Sequence, residues 1–376
     1  MANDSFYPST DGLVKNGNGH INHDGGHRLE SDLTLNRTKF QSDSISPATA
    51  AFNKKLQQVE STSPKWYEVG AANYRKLRAQ GLTALPGATL LPTARSLSIP
   101  SRDDGRTIPC RVLVPQMSDS PDRRGIFLHI HGGGWVLNDE MSSDIYLQTI
   151  ADSCGLICVS VGYRLAPEHA YPAAPNDCFD VATWLIANAS RAFGQGVELA
   201  FLGGESAGAN LAMVTALDLL KSPQLLNHHD QCRAKFRLKA LLLHYGTYSF
   251  QWQPSMRNFR REPTLVLDEK IMDHFRAAYL PDSTQEQLTS PLLSPFFANL
   301  RGLDLPPALF TCGTEDCLLD DSVFMCTRWL MAGRTAVLKV YPGSPHGFIV
   351  FPPDKHDNAR AALRDVKSFV DMIYTG

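Results

Sequence analysis

Apolar residues along the 376-residue chain recur in two alternating patterns from about residue 94 onward. Short, largely apolar runs, typical of buried strands, are followed by stretches in which apolar residues return every three to four positions, as on one face of a helix. The predicted strands cover residues 94–99, 108–114, 125–131, 155–161, 197–202, 238–244, 308–312 and 336–341. The predicted helices cover residues 142–153, 176–188, 207–221, 320–331 and 357–373. This alternation predicts an α/β fold whose mostly parallel central sheet carries helices on both faces.

The other segments depart from this alternation. Residues 1–44 are rich in Gly, Asn, Asp and Ser and lack apolar periodicity, which predicts a disordered N-terminal tail. Residues 45–90 carry two helical patterns, and the stretch at about 248–305 holds prolines, loops and a helical run near 270–279. We expect this stretch to be an insertion that forms a helical cap on the α/β domain at residues 91–376, joined by the N-terminal helices.

Local signals place several boundaries. Ser46 followed by Pro47 predicts an N-cap and the first position of a helix. A second helix is expected from residue 64 to residue 80. Asp104-Gly105 between the first two strands is typical of a hairpin turn, so these two strands are expected to pair with each other.

The amino-acid composition favours some classes of protein over others. Hydrophobic content is 43%, charged content is 20% and the net charge is −2, so a sizeable core is expected and nothing favours nucleic acid as a partner. Apolar runs stay far below the ~20 residues of a membrane-spanning helix. The N-terminus lacks a basic region followed by an apolar one, which predicts a cytoplasmic protein with reduced cysteines. The histidines of the tail, at 20, 23 and 27, are expected to be isolated residues, so no metal site is predicted.

The run Gly204-Glu205-Ser206-Ala207-Gly208 lies between a predicted strand and a predicted helix. A Gly-x-Ser-x-Gly turn in this position is so tight that it strains the serine backbone and presents the hydroxyl above the end of the strand. The flanking glycines avoid clashes with the neighbouring strand and helix. Ser206 is therefore a candidate nucleophile, and a helix N-cap serine is the alternative that the motif alone leaves open.

A second motif, His131 to Gly134 followed by Trp135, comes directly after another predicted strand. Acyl transfer develops an oxyanion, and consecutive glycines allow backbone N–H donors to approach it closely. The expected donors are the N–H groups of Gly133, Gly134 and Ala207. A phosphate-binding loop is the rival interpretation, and it fails because no Gly-Lys-Ser/Thr follows the glycines. His131 would then hold the loop in place.

A nucleophilic serine also needs a base and a group that orients the base, which in this arrangement follow it along the chain. Among the six histidines after Ser206, His346 lies in a Gly/Pro loop directly after a strand, where a base is best presented. The other five are His228, His229, His244, His274 and His356. Glu315 and Asp316 lie closest past the preceding strand, and spacing favours neither strongly. Asp320 and Asp321 resemble helix caps.

Taken together, these motifs resemble the hormone-sensitive lipase family of α/β-hydrolases, a group of carboxylesterase-like enzymes. The matching segments, in the family's order from about Ala94 to the C-terminus, are HGGGW, YRLAPEHAYPAAPND, GESAGANLA, EDCLLDD and PHGF. The resemblance implies an α/β-hydrolase fold with Ser206 as nucleophile, Asp316 rather than Glu315 as triad acid and His346 as base. It also implies an oxyanion hole at Gly133, Gly134 and Ala207. Glu205, Ala209 and Cys317 depart from many relatives and leave the substrate open.

The resulting hypothesis is a serine hydrolase that cleaves carboxylic esters of small to medium acyl chains through an acyl-enzyme, with neither a metal nor an organic cofactor. Acyl transfer, amide hydrolysis and lactone opening by the same triad are alternatives. A non-catalytic ligand receptor is disfavoured because His346 is present. Trp135 is a candidate for contacting the substrate, with simple packing as the alternative, and Arg164 and Glu168 are expected to form an ion pair. The oligomeric state, a homodimer included, stays open.

Overall fold

The computed structural model describes residues 33–85, 87–116, 124–221, 237–259 and 264–375. It also describes the backbone of three two-residue strands, Val14–Lys15, Ile21–Asn22 and Arg28–Leu29, which pair in an antiparallel manner. Most of the predicted tail, with its three histidines, therefore lies outside the described residues, as do His228 and His229. The end of the tail forms two 3-10 turns, Arg37–Phe40 and Ser42–Ser44, that contact the last strand of the central sheet.

The central sheet has eight strands, in the spatial order β8-β7-β6-β5-β3-β4-β2-β1. They are β1 (Arg95–Pro100), β2 (Thr107–Leu113), β3 (Ile126–Ile130), β4 (Ile157–Val161), β5 (Leu199–Glu205), β6 (Ala240–His244), β7 (Ala308–Glu315) and β8 (Ala336–Pro345). All neighbours are parallel except β1 with β2 and β2 with β4. The predicted mostly parallel sheet and the predicted β1–β2 hairpin are confirmed. Parallel order brings the C-terminal ends of β3, β5, β7 and β8 to one edge, where loops can converge.

Ten helices accompany the sheet in the described part of the chain. They are α1 (Pro47–Thr62), α2 (Trp66–Val69), α3 (Ala71–Ala79), α4 (Asp144–Cys154), α5 (Ala173–Phe193), α6 (Ala207–Lys221), α7 (Pro254–Asn258), α8 (Glu269–Tyr279), α9 (Leu319–Met331) and α10 (Asp357–Thr375). None of them combines the length and apolar character needed to cross a bilayer.

Helices cover both faces of the sheet, as predicted. The buried apolar residues of α5, α6 and α9 pack against one face, and those of α4 and α10 pack against the other. Alternation along the strands supplies both layers: in β3, Ile126, Leu128 and Ile130 join the first layer, while Phe127 joins the second. The strands β3, β4, β5 and β6 are buried along their whole length, so they appear in the sequence as largely apolar runs.

The N-terminal helices divide between the sheet and the cap. Ser46 caps α1 by accepting a hydrogen bond from the Thr49 N–H at 3.1 Å, and Pro47 takes the first helical position, as predicted. The single helix predicted at 64–80 is instead broken into α2 and α3 at Gly70, whose φ of 82° is unfavourable for other residues. This glycine turns the chain so that α2 reaches the insertion.

Aromatic contacts show what each N-terminal helix touches. Trp66 of α2 stacks on Phe275 of α8, with ring centroids 4.9 Å apart. By contrast, Asn53 of α1 donates a hydrogen bond to the Gly343 carbonyl on β8 at 2.7 Å, and Phe52 packs on Phe351. These contacts attach α1 to the edge of the sheet, whereas α2 contacts the insertion.

The predicted ion pair between Arg164 and Glu168 is wrong. Arg164 instead binds Asp177, with 2.8 Å between Nη2 and Oδ1, and Glu168 binds Arg75 at 2.9 Å. Asp177 of α5 is fully buried, and a buried carboxylate requires a charged partner. Proximity in sequence was a poor guide, because the loop turns the two predicted partners toward different helices.

The buried imidazole of His356 is expected to make the stability of the fold depend on pH. Its Nδ1 accepts a hydrogen bond from the Ala359 N–H at the start of α10, 3.1 Å away, and burial lowers the pKa of His356 from 6.5 to about 4. Between these values the unfolded chain binds more protons, so acidification should lower the free energy of unfolding. Asparagine can accept the same hydrogen bond without titrating. In urea unfolding between pH 6.5 and pH 4, the free energy of unfolding of His356→Asn should therefore fall less steeply with acidification than that of the parent, by up to about 1.4 kcal/mol per pH unit. The same dependence on pH in the two proteins would contradict this prediction.

Candidate active site

Ser206 occupies the tight turn between β5 and α6 with a φ of 58°, the left-handed region that serine rarely adopts. The turn requires glycine on both sides, because a Cβ on either Gly204 or Gly208 would collide with the Ile130 carbonyl oxygen of β3. The Ser206 N–H donates to the His244 carbonyl at 2.9 Å. The serine hydroxyl is thereby held above the end of β5, as the sequence predicts for a nucleophile turn.

Three side chains from distant parts of the chain form one hydrogen-bonded row. His346 Nε2 lies 2.8 Å from Ser206 Oγ, and His346 Nδ1 lies 2.9 Å from Asp316 Oδ2. The other oxygen of Asp316 accepts the Leu318 N–H at 2.9 Å. An imidazole protonated on Nδ1 donates to the carboxylate and accepts from the hydroxyl, which is the arrangement a general base requires. The Ser206 hydroxyl thus faces a base, and it makes no capping bond to α6 among the described residues.

The other histidines and acidic residues that the sequence offered as candidates have different positions and partners in the structure. Of the adjacent acidic residues Glu315 and Asp316, Asp316 places a carboxylate oxygen 2.9 Å from His346 Nδ1. His244 is buried beneath the turn with Nδ1 2.8 Å from Thr311 Oγ1, and His274 stacks on Tyr67 of α2. The expected caps of α9 also have different partners, since Asp320 and Asp321 accept N–H groups of the inserted segment at Ser255, Tyr248 and Ser249. These two carboxylates therefore attach the insertion to the sheet domain.

The glycine loop after β3 adopts conformations that exclude side chains. Gly133 and Gly134 have φ values of 113° and 61°. A Cβ on Gly133 would strike the Leu137 carbonyl, and one on Gly134 would strike the ring of Phe275. In the described part of the chain, neither glycine's N–H meets an acceptor. Together with Ala207 at the N-terminus of α6, they remain the predicted oxyanion donors.

His131 anchors this loop. Its ring stacks on Tyr163 with centroids 4.2 Å apart, and the Tyr163 hydroxyl donates to the His131 carbonyl at 2.9 Å. Burial lowers the pKa of His131 to about 4, so the ring is neutral near pH 7. These contacts fit the predicted role of His131 in holding the loop.

Sequence reasoning missed a buried pair of polar side chains, Glu205 and His129, next to Ser206. Glu205 Oε2 lies 2.7 Å from His129 Nε2, and His129 Nδ1 lies 3.0 Å from Ser160 Oγ. The other oxygen of Glu205 accepts the Gly132 N–H at 3.3 Å. Burial raises the pKa of Glu205, but the neighbouring His129 and these hydrogen bonds outweigh it, and the net pKa is lowered. An ionised Glu205 thus connects the nucleophile turn to the glycine loop.

A signal for this pair exists in the sequence. His129 and Glu205 are polar residues in otherwise apolar strands, β3 and β5, and buried polar groups require partners. Pairing them would have required the knowledge that β3 and β5 are neighbours, which no local pattern supplies.

Most aromatic side chains of the insertion pack against other side chains and do not line the cavity. The ring of Trp135 is fully buried and stacks on Tyr279, with centroids 4.8 Å apart and nearly parallel planes. Phe250 lies 5.0 Å from Trp135. Among five aromatic residues of the insertion, Phe275 lines the cavity above Ser206, whereas Tyr248, Phe250, Trp252 and Tyr279 are not among its lining residues. Trp135 also borders the cavity, but its ring chiefly joins cap to core.

A cavity of 160 Å³ opens directly on Ser206, His346 and the two glycines. One of its walls is apolar and comes from α8, and the other is polar and comes from α1 to α3. The apolar wall includes Ile271, Met272 and Phe275, and the polar wall includes Glu60, Lys65, Tyr74 and Arg78. Within the described ranges, no three His, Cys, Asp or Glu side chains are grouped to hold a metal ion. The arrangement suits attack by Ser206 on a carbonyl carbon that enters this cavity.

Comparison with known proteins agrees with this geometry. A family model described as the alpha/beta hydrolase fold matches residues 127–350. Carboxylesterase NlhH of Mycobacterium tuberculosis is 31% identical over 293 residues, covering 77% of this chain and 84% of the relative. Ethyl acetate hydrolase of Pseudomonas putida is 29% identical over 255 residues, covering 67% and 74%. The solved structure of a hyperthermophilic esterase from Pyrobaculum calidifontis superimposes with a TM-score of 0.72 at 26% identity, covering 88% of this chain and 99% of that one.

Proposed function

The chain belongs to the hormone-sensitive lipase-like family of α/β-hydrolases and is a carboxylic-ester hydrolase, and we propose that Ser206, His346 and Asp316 are its catalytic triad. The observation that carries the proposal is the hydrogen-bonded row in which His346 contacts Ser206 Oγ at 2.8 Å and Asp316 at 2.9 Å. A serine hydroxyl is a weak nucleophile unless a base of this kind removes its proton.

The proposed mechanism has two halves. In the first, Ser206 Oγ attacks the ester carbonyl carbon as His346 Nε2 takes the hydroxyl proton, and Asp316 stabilises the resulting imidazolium. The N–H groups of Gly133, Gly134 and Ala207 receive the negative charge on the carbonyl oxygen. His346 then gives its proton to the leaving alcohol. In the second half, His346 activates a water molecule, which releases the acid and restores Ser206.

We further propose that α2, α3 and the insertion around α7 and α8 form the cap, and that residues 91–376 without the insertion form the catalytic domain. The contact between Trp66 and Phe275 supports this division, because it closes the cavity from above. The ring of Phe275 also lies where a side chain on Gly134 would project. Cap and oxyanion loop therefore pack directly on each other.

We propose that the substrates are esters of small to medium acyl groups. The 160 Å³ cavity is close to the size of an engineered cavity of ~150 Å³ that accommodates benzene. The apolar wall of Ile271, Met272 and Phe275 suits a short alkyl chain. The Pseudomonas putida relative carries a name that specifies an acetyl ester, which agrees with this size.

Turnover of p-nitrophenyl esters from acetate to dodecanoate tests this proposal. We expect kcat/KM to be highest between acetate and hexanoate, where burial of each methylene still adds contact with α8. It should then fall by at least about tenfold at dodecanoate, because a chain that outgrows the cavity displaces well-packed side chains at a cost of ~1–3 kcal/mol. A maximum at dodecanoate would contradict the proposed substrate size while leaving the triad untouched.

A further inference from the structure

Arg78, near the end of α3, lines the cavity that opens on Ser206, and its side chain has no acceptor among the described residues. An arginine carries five N–H donors in a rigid fork and is charged at any ordinary pH. Burial lowers the pKa of Arg78, although not enough to discharge a guanidinium near pH 7. A charged guanidinium that borders this cavity and has no acceptor in the described part of the chain is available to bind an anionic group of a ligand.

The nearby carboxylates are already engaged. Glu60 binds Lys65, with 2.8 Å between Oε2 and Nζ. Asp139 Oδ1 accepts the Met141 N–H at 3.1 Å and the Ser142 hydroxyl at 2.7 Å. Both carboxylates raise the pKa of Arg78 through their field, yet neither forms an ion pair with it. The guanidinium thus keeps its hydrogen-bonding capacity for another molecule.

Arg75, three positions earlier on the same helix, shows the contrast. It donates to both carboxylate oxygens of Glu168 and to the carbonyls of Val136 and Ala166, with distances of 2.8 to 3.0 Å. Its donors are used to attach α3 to the loops around the site. Arg75 therefore has a structural role that Arg78 does not share.

We infer that Arg78 binds a carboxylate of the substrate, so that the natural substrates are esters that carry a carboxylate apart from the bond that is cleaved. A single carboxylate matches the guanidinium fork in shape and charge. A dianionic phosphate fits less well, because Glu60 and Asp139 add negative charge around the same position. The inference rests on the proposed function, since the ester bond must lie at Ser206 in the same cavity.

Matched ester pairs test the inference. On the acyl side, p-nitrophenyl butyrate is compared with p-nitrophenyl hemisuccinate; on the alcohol side, phenyl acetate is compared with 4-acetoxybenzoate. The parent protein should prefer the anionic member of one pair, which identifies the side that carries the charge. In Arg78→Met, kcat/KM for that ester should fall about 10- to 100-fold, mainly through KM, because the contact is made equally before and during the reaction. Neutral esters should lose markedly less than the anionic ester, because they offer no carboxylate to the guanidinium.

Lys76→Met is the matched control, because Lys76 is an exposed cation on the same helix and should leave both esters unchanged. Arg78→Lys keeps the charge without the fork, so it should retain part of the preference even if Arg78→Met unfolds. Equal rates for both members of each pair in the parent would overturn the inference, as would an equal loss on neutral and anionic esters in the variants. Failure of the proposed function would look different, because Ser206→Ala would then retain turnover.

Discussion

Replacing Ser206 by alanine is expected to lower kcat for p-nitrophenyl acetate by about five to six orders of magnitude, the loss typical of removing the nucleophile of a serine hydrolase. Ser206 Oγ is the atom that faces His346 Nε2 at 2.8 Å, and no other hydroxyl contacts that nitrogen among the described residues. Without Oγ the acyl-enzyme cannot form, and only general binding and the oxyanion donors remain. Active-site titration and steady-state kinetics measure the effect.

The fold should survive this change. Alanine and serine both carry a Cβ, so the strain of a φ of 58° at residue 206 is the same in both proteins. We expect the thermal midpoint of Ser206→Ala to stay within a few degrees of the parent, and a fluorophosphonate probe to label the parent alone. Turnover above about one hundredth of the parent value, in protein free of contaminating esterase, would refute Ser206 as the nucleophile.

Asp316→Asn is expected to reduce kcat by about four orders of magnitude while the protein stays folded. The amide has the shape of the carboxylate, but it offers an N–H or a neutral carbonyl to His346 Nδ1, which lies 2.9 Å from Oδ2 in the parent. The imidazole then loses the anion that stabilises its charged form and can adopt the wrong tautomer. The Leu318 N–H keeps an acceptor if the amide oxygen takes the place of Oδ1.

Glu315→Gln supplies the matched control, since it makes the same chemical change one residue away. We expect kcat/KM of this variant to remain within about threefold of the parent, because the carboxylate that lies 2.9 Å from His346 Nδ1 is that of Asp316. The comparison decides between the two acids that sequence spacing left open. A large loss in Glu315→Gln with a small one in Asp316→Asn would reverse the assignment.

Both experiments concern an arrangement whose supports extend beyond the triad. Glu205 accepts a hydrogen bond from Gly132 and lies next to Ser206 in the chain, so it couples the position of the glycine loop to that of Ser206. His129 keeps this carboxylate ionised, although it is buried. The proposed oxyanion donors and the proposed nucleophile are consequently held relative to each other through a strand pair, which is the preorganisation that electrostatic catalysis needs.

Much of the fold could be predicted from the sequence, because the burial patterns and steric limits that produce it involve residues close together in the chain. Apolar runs and helical periodicity along residues 94–373 predicted the strands and helices of the sheet domain, since burial on two faces leaves a direct pattern in the chain. Steric limits on the backbone made the turn at Ser206 and the glycines at 133 and 134 recognisable. The helix predicted at 64–80 was divided at Gly70, because the pattern of side chains does not reveal a positive φ.

The sequence by itself therefore determined the order of the elements, the mostly parallel sheet, the tight turn at Ser206 and the family. Tertiary structure alone brought Asp316 rather than Glu315 to His346, joined Glu205 to His129, and directed Arg164 to Asp177 instead of Glu168. It also left Arg78 on the wall of the cavity without a partner among the described residues. The physical reason is distance along the chain. Backbone sterics and periodic burial act over a few residues, whereas partners such as Ser206 and His346, 140 positions apart, meet only when the sheet orders its strands.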